Sequence, residues 1–248
     1  MTLSTVDSLL ESTLFDRGYG SFTTLFNELT SQMESGLQGQ KKSLAMLPTY
    51  ISAGDSPTGS LKPAKRNIVI DAGGTHLRVA LTQVSSTGEI EFIHLKKHPM
   101  PGQDKAISAE FFYDTICHYL APVIALSDQI NFCFSYPCEI NSQLDGKLLY
   151  WTKEIKAPEV VGQWIGQSLR NQIKHRFNQD KKIILLNDTV ATLLAGKCAY
   201  SGQSFDASIG FILGTGTNCA YSGFRTKQII NMESGNFNGA QAYVFDCQ

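Results

Sequence analysis

Asn187, Asp188 and Thr189 follow directly on the four large apolar residues Ile183-Ile184-Leu185-Leu186, and Val190, Leu193, Leu194 and Cys198 then recur at helical spacing. The apolar run predicts a buried strand and the spacing behind it a helix. Asn187 and Asp188 are therefore expected at the carboxyl end of a strand and the mouth of a helix, where open α/β sheets gather ligands. A carboxylate at that place can take the proton of an attacking hydroxyl. An Asp there can equally cap the helix. Asn187-Asp188-Thr189 also spells a glycosylation acceptor, which has meaning only in a secreted chain.

Two glycine turns carry the next chemistry. Asp71-Ala72-Gly73-Gly74-Thr75 lies between two apolar stretches, with Arg78 just beyond. Paired glycines let backbone approach a ligand closely and expose N–H groups to an anion, and Thr75 adds a hydroxyl. An acid beside a phosphate cradle implies a divalent cation, so Asp71 points to Mg²⁺ held through water. The plain alternative is a hairpin turn. Ile212-Leu213-Gly214-Thr215-Gly216-Thr217-Asn218 repeats the pattern. Cys219 replaces the last glycine of a dinucleotide fingerprint and no helix follows, so a second phosphate turn fits better.

Three further segments hold polar groups on turns. Phe134-Ser135-Tyr136-Pro137-Cys138 puts a hydroxyl at a strand end, Tyr150-Trp151-Thr152-Lys153 follows an apolar run, and Asn231-Met232-Glu233-Ser234-Gly235 offers a carboxylate on a glycine-bounded turn. Alone each reads as ordinary loop chemistry. No GxSxG elbow is present, and the five histidines are scattered. Gly54 to Ser60 nearly spells a P-loop, but Ser60 stands where Lys is required and no strand leads in.

The elements that must position these groups alternate. A helix is predicted around Phe22, Leu25, Phe26, Leu29 and Met33, with Ser21 as its cap, and a weaker one around Leu9, Leu10 and Leu14. From Ile51 to Pro63 glycine, proline and serine predict a loop. Strands follow at 68–71, at 77–84, and through Ile90, Phe92 and His94 after a Gly88 turn. A helix carrying Phe111, Phe112, Thr115, Ile116, Tyr119 and Leu120 precedes a short strand at 132–134. Val161, Trp164, Ile165, Leu169 and Ile173 predict another helix before the 183–186 strand. After Asp206 the chain returns to strands at 209–213, 218–224 and 228–232. This order predicts a mixed α/β sheet with helices on its faces. An apolar strand running into a Gly-Thr turn occurs twice, at 68–75 and 209–217.

The 248 residues suit one large domain or two ordinary ones, and 42% hydrophobic with 17% charged content is that of a soluble globular protein. A net charge of −1 gives no footprint for nucleic acid or an anionic membrane. No apolar run approaches the roughly 20 residues of a spanning helix, and the start lacks the basic and apolar regions of a signal peptide. The six cysteines form no CxxC pair and have no His at zinc spacing, so reduced thiols and a cytoplasmic location are expected.

Taken together, Asp71-Ala72-Gly73-Gly74-Thr75-His76-Leu77-Arg78, Phe134-Ser135-Tyr136-Pro137-Cys138, Trp151-Thr152-Lys153, Asn187-Asp188-Thr189-Val190, Gly214-Thr215-Gly216-Thr217-Asn218 and Asn231-Met232-Glu233 resemble the motifs of the hexokinase family, in the family's order and spacing. Met46-Leu47-Pro48-Thr49-Tyr50 is similar to the family's leading segment, and the match runs from about Phe22 to Phe237. The resemblance implies the duplicated actin-like, ribonuclease-H-like α/β fold, with two lobes around a cleft that holds ATP and a hexose such as glucose, fructose or mannose. It makes Asp188 the base for the sugar 6-hydroxyl, with Lys153 beside it. Ser135, Thr152, Lys153, Asn187, Asn218 and Glu233 would bond the other hydroxyls. Asp71, Gly73, Gly74, Thr75, Arg78 and Gly214, Thr215, Gly216 and Thr217 would hold the phosphates and Mg²⁺, the metal through Asp71 and water. The reaction would be the first step of glycolysis.

The sequence departs from the family at Ser234, which replaces a Trp, and at Asn238, which replaces an acid. Both bear on the shape of the sugar pocket. The family continues well beyond Gln248 with a second sugar-binding Glu and the adenosine pocket. The resemblance thus implies a fragment with a small lobe at 67–205 and an incomplete large lobe from 1–60 and 206–248. A sugar sensor or inactive piece of a hexokinase is the alternative. A cytoskeletal or chaperone-type ATPase of the same fold has no use for the Ser135, Thr152, Lys153 and Glu233 set.

Overall fold

The computed structural model describes residues 22–52, 65–86, 89–152, 154–200, 203, 205–214, 216–223 and 228–238. The weak helix near Leu9, the Ser21 cap, most of the 51–63 loop including the near P-loop, the Gly88 turn, Lys153, Thr215 and Cys247 lie outside these residues.

Residues 66–186 build a five-stranded sheet. Its strands are β2 (Arg66–Ala72), β3 (His76–Val84), β4 (Ile90–Pro99), β5 (Gln129–Phe134) and β8 (Lys182–Leu186), in the order β4-β3-β2-β5-β8. The first three form an antiparallel meander, while β5 joins β2 in parallel and β8 joins β5 in parallel. The parallel strands are reached by crossovers through α2 (Ala109–Leu120) and α3 (Ile165–Phe177), as parallel pairing requires. β2 alternates, with Ile68, Ile70 and Ala72 buried toward Phe112, Ile116, Leu120, Leu169 and Ile173 of the helices. In α2 the buried positions are Phe112, Tyr113, Ile116, Cys117 and Leu120, so the core stripe is rotated from the expected one and Phe111 faces out. α3 starts at Ile165; Val161 precedes it and is exposed.

No residue at the start of α3 caps it. Asp145 does so from a distance in sequence, Oδ1 accepting from the Gly166 N–H at 2.7 Å and Oδ2 from the Gln167 N–H at 2.9 Å. A carboxylate on the first turn satisfies orphan donors and suits the helix dipole. Asp145 ends the tight turn between β6 (Cys138–Ile140) and β7 (Gly146–Leu148), a hairpin too short to leave a period in the sequence.

The second sheet has the order β1-β11-β10-β9, all antiparallel, from β1 (Leu47–Ser52), β9 (Ile209–Leu213), β10 (Thr217–Ser222) and β11 (Gln228–Asn231). β1 pairs with β11, bringing residue 47 to residue 231. Leu44, Met46, Ile230 and Met232 bury there with Leu29 and Met33 of α1 (Phe22–Leu37), whereas Phe26 on the expected stripe is exposed. Each sheet thus contains a hairpin closed by a glycine turn, β2–β3 and β9–β10, which is the repeat seen in the sequence.

One boundary moves. α4 (Asp188–Ala199), expected with the 67–205 lobe, packs on the second sheet instead. Val190 and Leu193 share a core with Ala220 and Ile229. Gly210 of β9 lets the two elements touch: a Cβ there would lie 2.4 Å from the Thr189 carbonyl oxygen and 2.8 Å from Leu193. The division between the sheets therefore falls near Asn187, and α4 carries the Asp188 segment on the far sheet.

The five described cysteines are free: Cys117 and Cys138 are buried, Cys133 and Cys219 half-buried, Cys198 exposed. Burial pushes the Cys117 thiol up to about 12 and, with the Glu233 charge second, raises Cys138 as well. Thiolates are the reactive form. Iodoacetamide at neutral pH is accordingly expected to modify Cys198 in the folded protein before Cys117 or Cys138, read by peptide mass mapping. Early labelling of Cys138 would contradict the packing.

Candidate active site

The carboxyl ends of β2, β5 and β8 and the turn of the β9–β10 hairpin open onto one cleft of about 540 Å³. Gly74, Thr75, Ser135, Thr152, Asn187, Asp188, Gly214, Gly216, Thr217, Asn218 and Glu233 all line it. These residues come from segments spread over the chain, and the two sheets supply them from opposite sides. Asp71, Gly73 and Arg78 are not in the lining; Lys153 and Thr215 lie outside the described residues.

Packing beneath the cleft explains the positions on the first sheet. Tyr136 is buried and its hydroxyl donates to the Gly73 carbonyl at 2.9 Å, while the Ser135 N–H donates to Ala72 at 3.1 Å, so the turns after β5 and β2 hold each other. Trp151 stands edge-on to Tyr136 at 4.7 Å and donates its indole N–H to Ala157 at 2.9 Å. This aromatic block seats Thr152 beside Ser135. Edge-to-face rings of this kind add about 1 kcal/mol to their area burial.

At the mouth of α4 the sequence left the capping role open. Asn187 is the N-cap, its Oδ1 accepting from the Thr189 N–H at 3.0 Å. Asp188 Oδ1 accepts from the same N–H at 2.9 Å, which fixes the half-buried carboxyl at the positive end of the helix and on the cleft wall. Close to the start of α4, Glu233 is buried and takes a left-handed backbone with φ 56°. A non-glycine residue in that region is strained by roughly 1 kcal/mol or more, a feature that clusters at functional sites. Its Oε1 accepts from Asn231 Nδ2 at 2.7 Å and from Asn218 Nδ2 at 3.4 Å.

The glycine turns divide their labour. The Gly73 N–H donates to His76 at 3.0 Å and the Gly214 N–H to Gly216 at 2.9 Å, so those two amides close their own hairpins. An anion would therefore be met by the Gly74 and Thr75 turn and by Gly216 and Thr217, which face the cleft. Asp71 pairs with Arg78 at 2.6 Å across the β2–β3 ladder, with both side chains partly exposed. Among the described residues no cluster of three His, Cys, Asp or Glu could hold a metal by itself. A Mg²⁺ bound mostly by phosphate and water, with Asp71 behind a water, needs no such cluster.

Several lining residues were not expected: Tyr136, Pro137, Ile212, Gly235 and Asn236. Asn236 Nδ2 donates to the Tyr150 hydroxyl at 3.2 Å, a bond between the segments of the two sheets. Gly235 lets the Glu233 turn lie on the other glycine hairpin, since a Cβ there would sit 2.5 Å from the Thr217 carbonyl oxygen. The glycine was visible in the sequence as a turn residue, but its neighbour was not.

Residues 13–198 match the family profile described as hexokinase. The chain belongs to the hexokinase family. It is 32% identical to Hexokinase-3 of Rattus norvegicus over 95% of its own length and 26% of that protein's. Against Hexokinase-1 of Mus musculus the identity is 31%, over 85% of the chain and 23% of the relative. The chain thus spans about a quarter of the length of the curated relatives it matches. Its fold is similar to that of a Schistosoma mansoni hexokinase solved in complex with glucose, with TM-score 0.74 and 22% identity, covering 93% of this chain and 55% of that one. A second hexokinase crystal structure matches with TM-score 0.67 and 24% identity over 88% of this chain and 53% of its own. At such identities the likeness concerns the fold, which is the actin-like α/β architecture of the hexokinases.

Proposed function

We propose that this protein transfers the γ-phosphoryl group of ATP to the 6-hydroxyl of a hexose such as glucose, the reaction that opens glycolysis, and does so in the cytoplasm. The observation that carries this reading is the meeting of Asp188, the hydroxyl-binding set and both glycine turns around one cleft. Ser135, Thr152, Asn187, Asn218 and Glu233 supply alternating donors and acceptors, which a polyhydroxyl ligand satisfies and an analogue lacking one hydroxyl leaves unpaired. Asp188, on a fixed helix end, takes the proton of the hydroxyl as it attacks. The phosphate chain lies between the Gly74–Thr75 and Gly216–Thr217 turns, whose backbone offers donors without side-chain bulk. Asp71, beside the Gly74–Thr75 turn in sequence, would hold a Mg²⁺ through water, and that ion would neutralise phosphate charge.

Phosphoryl transfer asks mainly for positioning and charge stabilisation, and segments of both sheets contribute to the proposed sugar and phosphate contacts. Closing them over the sugar excludes water, a smaller rival nucleophile. The free thiols support a reducing compartment.

The test is ADP formation from Mg·ATP with and without D-glucose, D-fructose and D-mannose. Hexose-dependent turnover with a sugar 6-phosphate as product is the expected result. Nucleotide hydrolysis indifferent to sugar would sink the reading. No turnover, with glucose still raising the melting temperature, would favour a sugar-binding protein without catalysis.

A further inference from the structure

Asn231, the last residue of β11, is buried, with its side chain at the centre of a polar cluster that the proposed reaction does not by itself require. Nδ2 donates to Glu233 Oε1 at 2.7 Å; Oδ1 accepts from Asn218 Nδ2 at 2.9 Å and, at 3.2 Å, shares the Thr189 hydroxyl proton with the nearer Asn187 Oδ1. An ionised carboxylate only accepts, so the carboxamide nitrogen must face Glu233 and the oxygen must face the other two donors. Asn218 Oδ1 is held in turn by the Cys219 and Ser234 N–H groups at 2.8 and 3.1 Å. Thr189 is completely buried and follows Asp188 directly. One side chain thus links three segments of the cleft wall: the start of α4, strand β10 and the strained turn at Glu233.

We propose that Asn231 is the positioning residue of the sugar site, locking the Glu233 carboxylate and the Asn218 carboxamide in the orientation a hexose meets and tying both to the Asp188 segment through Thr189. This rests on the hexose-kinase reading. It acts through its neighbours, since Asn231 itself is not in the cleft lining. Glu233 sits on a backbone of φ 56° that would otherwise relax, and a buried carboxylate without its donor costs far more than the bond contributes.

The near-isosteric change Asn231→Asp tests it. The substitution sets a second carboxyl against Glu233, and two carboxylates at that separation do not both ionise readily; a proton taken up at lower pH restores the lost donor. Among the described residues the other ionisable groups about the pair are Asp188, in the segment that Thr189 joins to it, and Cys138, a thiol that burial keeps protonated. Binding of D-glucose by calorimetry, without nucleotide, reads the sugar site apart from the proton-transfer role of Asp188. At about pH 7.5 N231D is expected to bind glucose at least about tenfold more weakly than the wild type, with most of that loss recovered near pH 5.5. Binding equal to the wild type at both pH values overturns the proposal. So does a loss of the same size at both, which is what a general packing role predicts.

Wild-type protein that binds none of the three hexoses defeats the functional reading and this inference with it, whereas a binding wild type beside an unaffected N231D defeats the inference alone. Where N231D fails to fold, Asn231→Ser carries the test. It is expected to raise the glucose KM about tenfold with kcat within about threefold, and an unchanged KM overturns the proposal.

Discussion

Asp188→Asn is expected to lower hexose phosphorylation by about 10²- to 10⁴-fold while glucose binding stays within a few-fold of the wild type. The asparagine keeps the shape of the side chain and the oxygen that accepts the Thr189 N–H at 2.9 Å, so the start of α4 survives. What it loses is the ability to take a proton from the attacking hydroxyl. Steady-state kinetics beside a glucose-binding measurement separate the two effects, since a group acting only in the transition state moves kcat and not affinity. A variant that retains kcat within tenfold would remove Asp188 from the chemistry and leave it as a helix-start residue.

Gly210→Ala, a change of one methyl group in a residue outside the cleft lining, is expected to be nearly as damaging. The added Cβ would lie 2.4 Å from the Thr189 carbonyl oxygen and 2.8 Å from the Leu193 backbone nitrogen, and both neighbours are parts of the helix frame that cannot swing aside as a side-chain tip would. Overpacking of this kind costs about 1–3 kcal/mol, or roughly 2–12 °C of melting temperature for a domain of this size. The relief available is to push α4 off β9, and α4 begins with Asp188. The variant should therefore lose activity well below its melting temperature, with kcat falling more than the glucose KM rises, because a displacement of about 1 Å at a reacting group can cost about 10²-fold. A G210A protein with wild-type melting and wild-type kcat would show that the close contact between β9 and α4 does not hold the catalytic segment in place.

Much of the site was legible because its groups advertise themselves locally. A strand running into Gly73-Gly74-Thr75 or into Gly214 and Gly216 is a turn wherever it occurs, and the residues after Leu186 must start a helix. The two glycine hairpins, the α2 crossover and the 183–186 strand lie within two residues or so of the expected positions, while α3 starts four residues after Val161. Where the pattern misled, the cause was a partner far away. The stripe on α2 was rotated because Tyr113 and Cys117 pack into the core where Phe111 had been expected. β1 was partly read as loop: its ladder is completed by β11, at the other end of the chain. Which sheet α4 packs on was not legible either, because its partners Ala220, Ile229 and Gly210 come later in the chain.

The distribution of roles follows the same line. Residue type and spacing by themselves determined that this chain has a carboxylate at a strand-to-helix junction and two glycine turns behind apolar strands, because those properties depend on a few adjacent residues; the set of hydroxyl partners was an expectation from the hexokinase resemblance. Tertiary structure alone decided that Gly73 and Gly214 spend their amides on their own hairpins, that Asp71 is paired with Arg78 and does not itself line the cleft, and that Asn231, which the sequence showed only as one residue of a motif, holds Glu233, Asn218 and Thr189 together. A hydrogen-bond partner is chosen by distance in space, and the two sheets fold residues from both ends of the chain onto one wall before any of those distances exist.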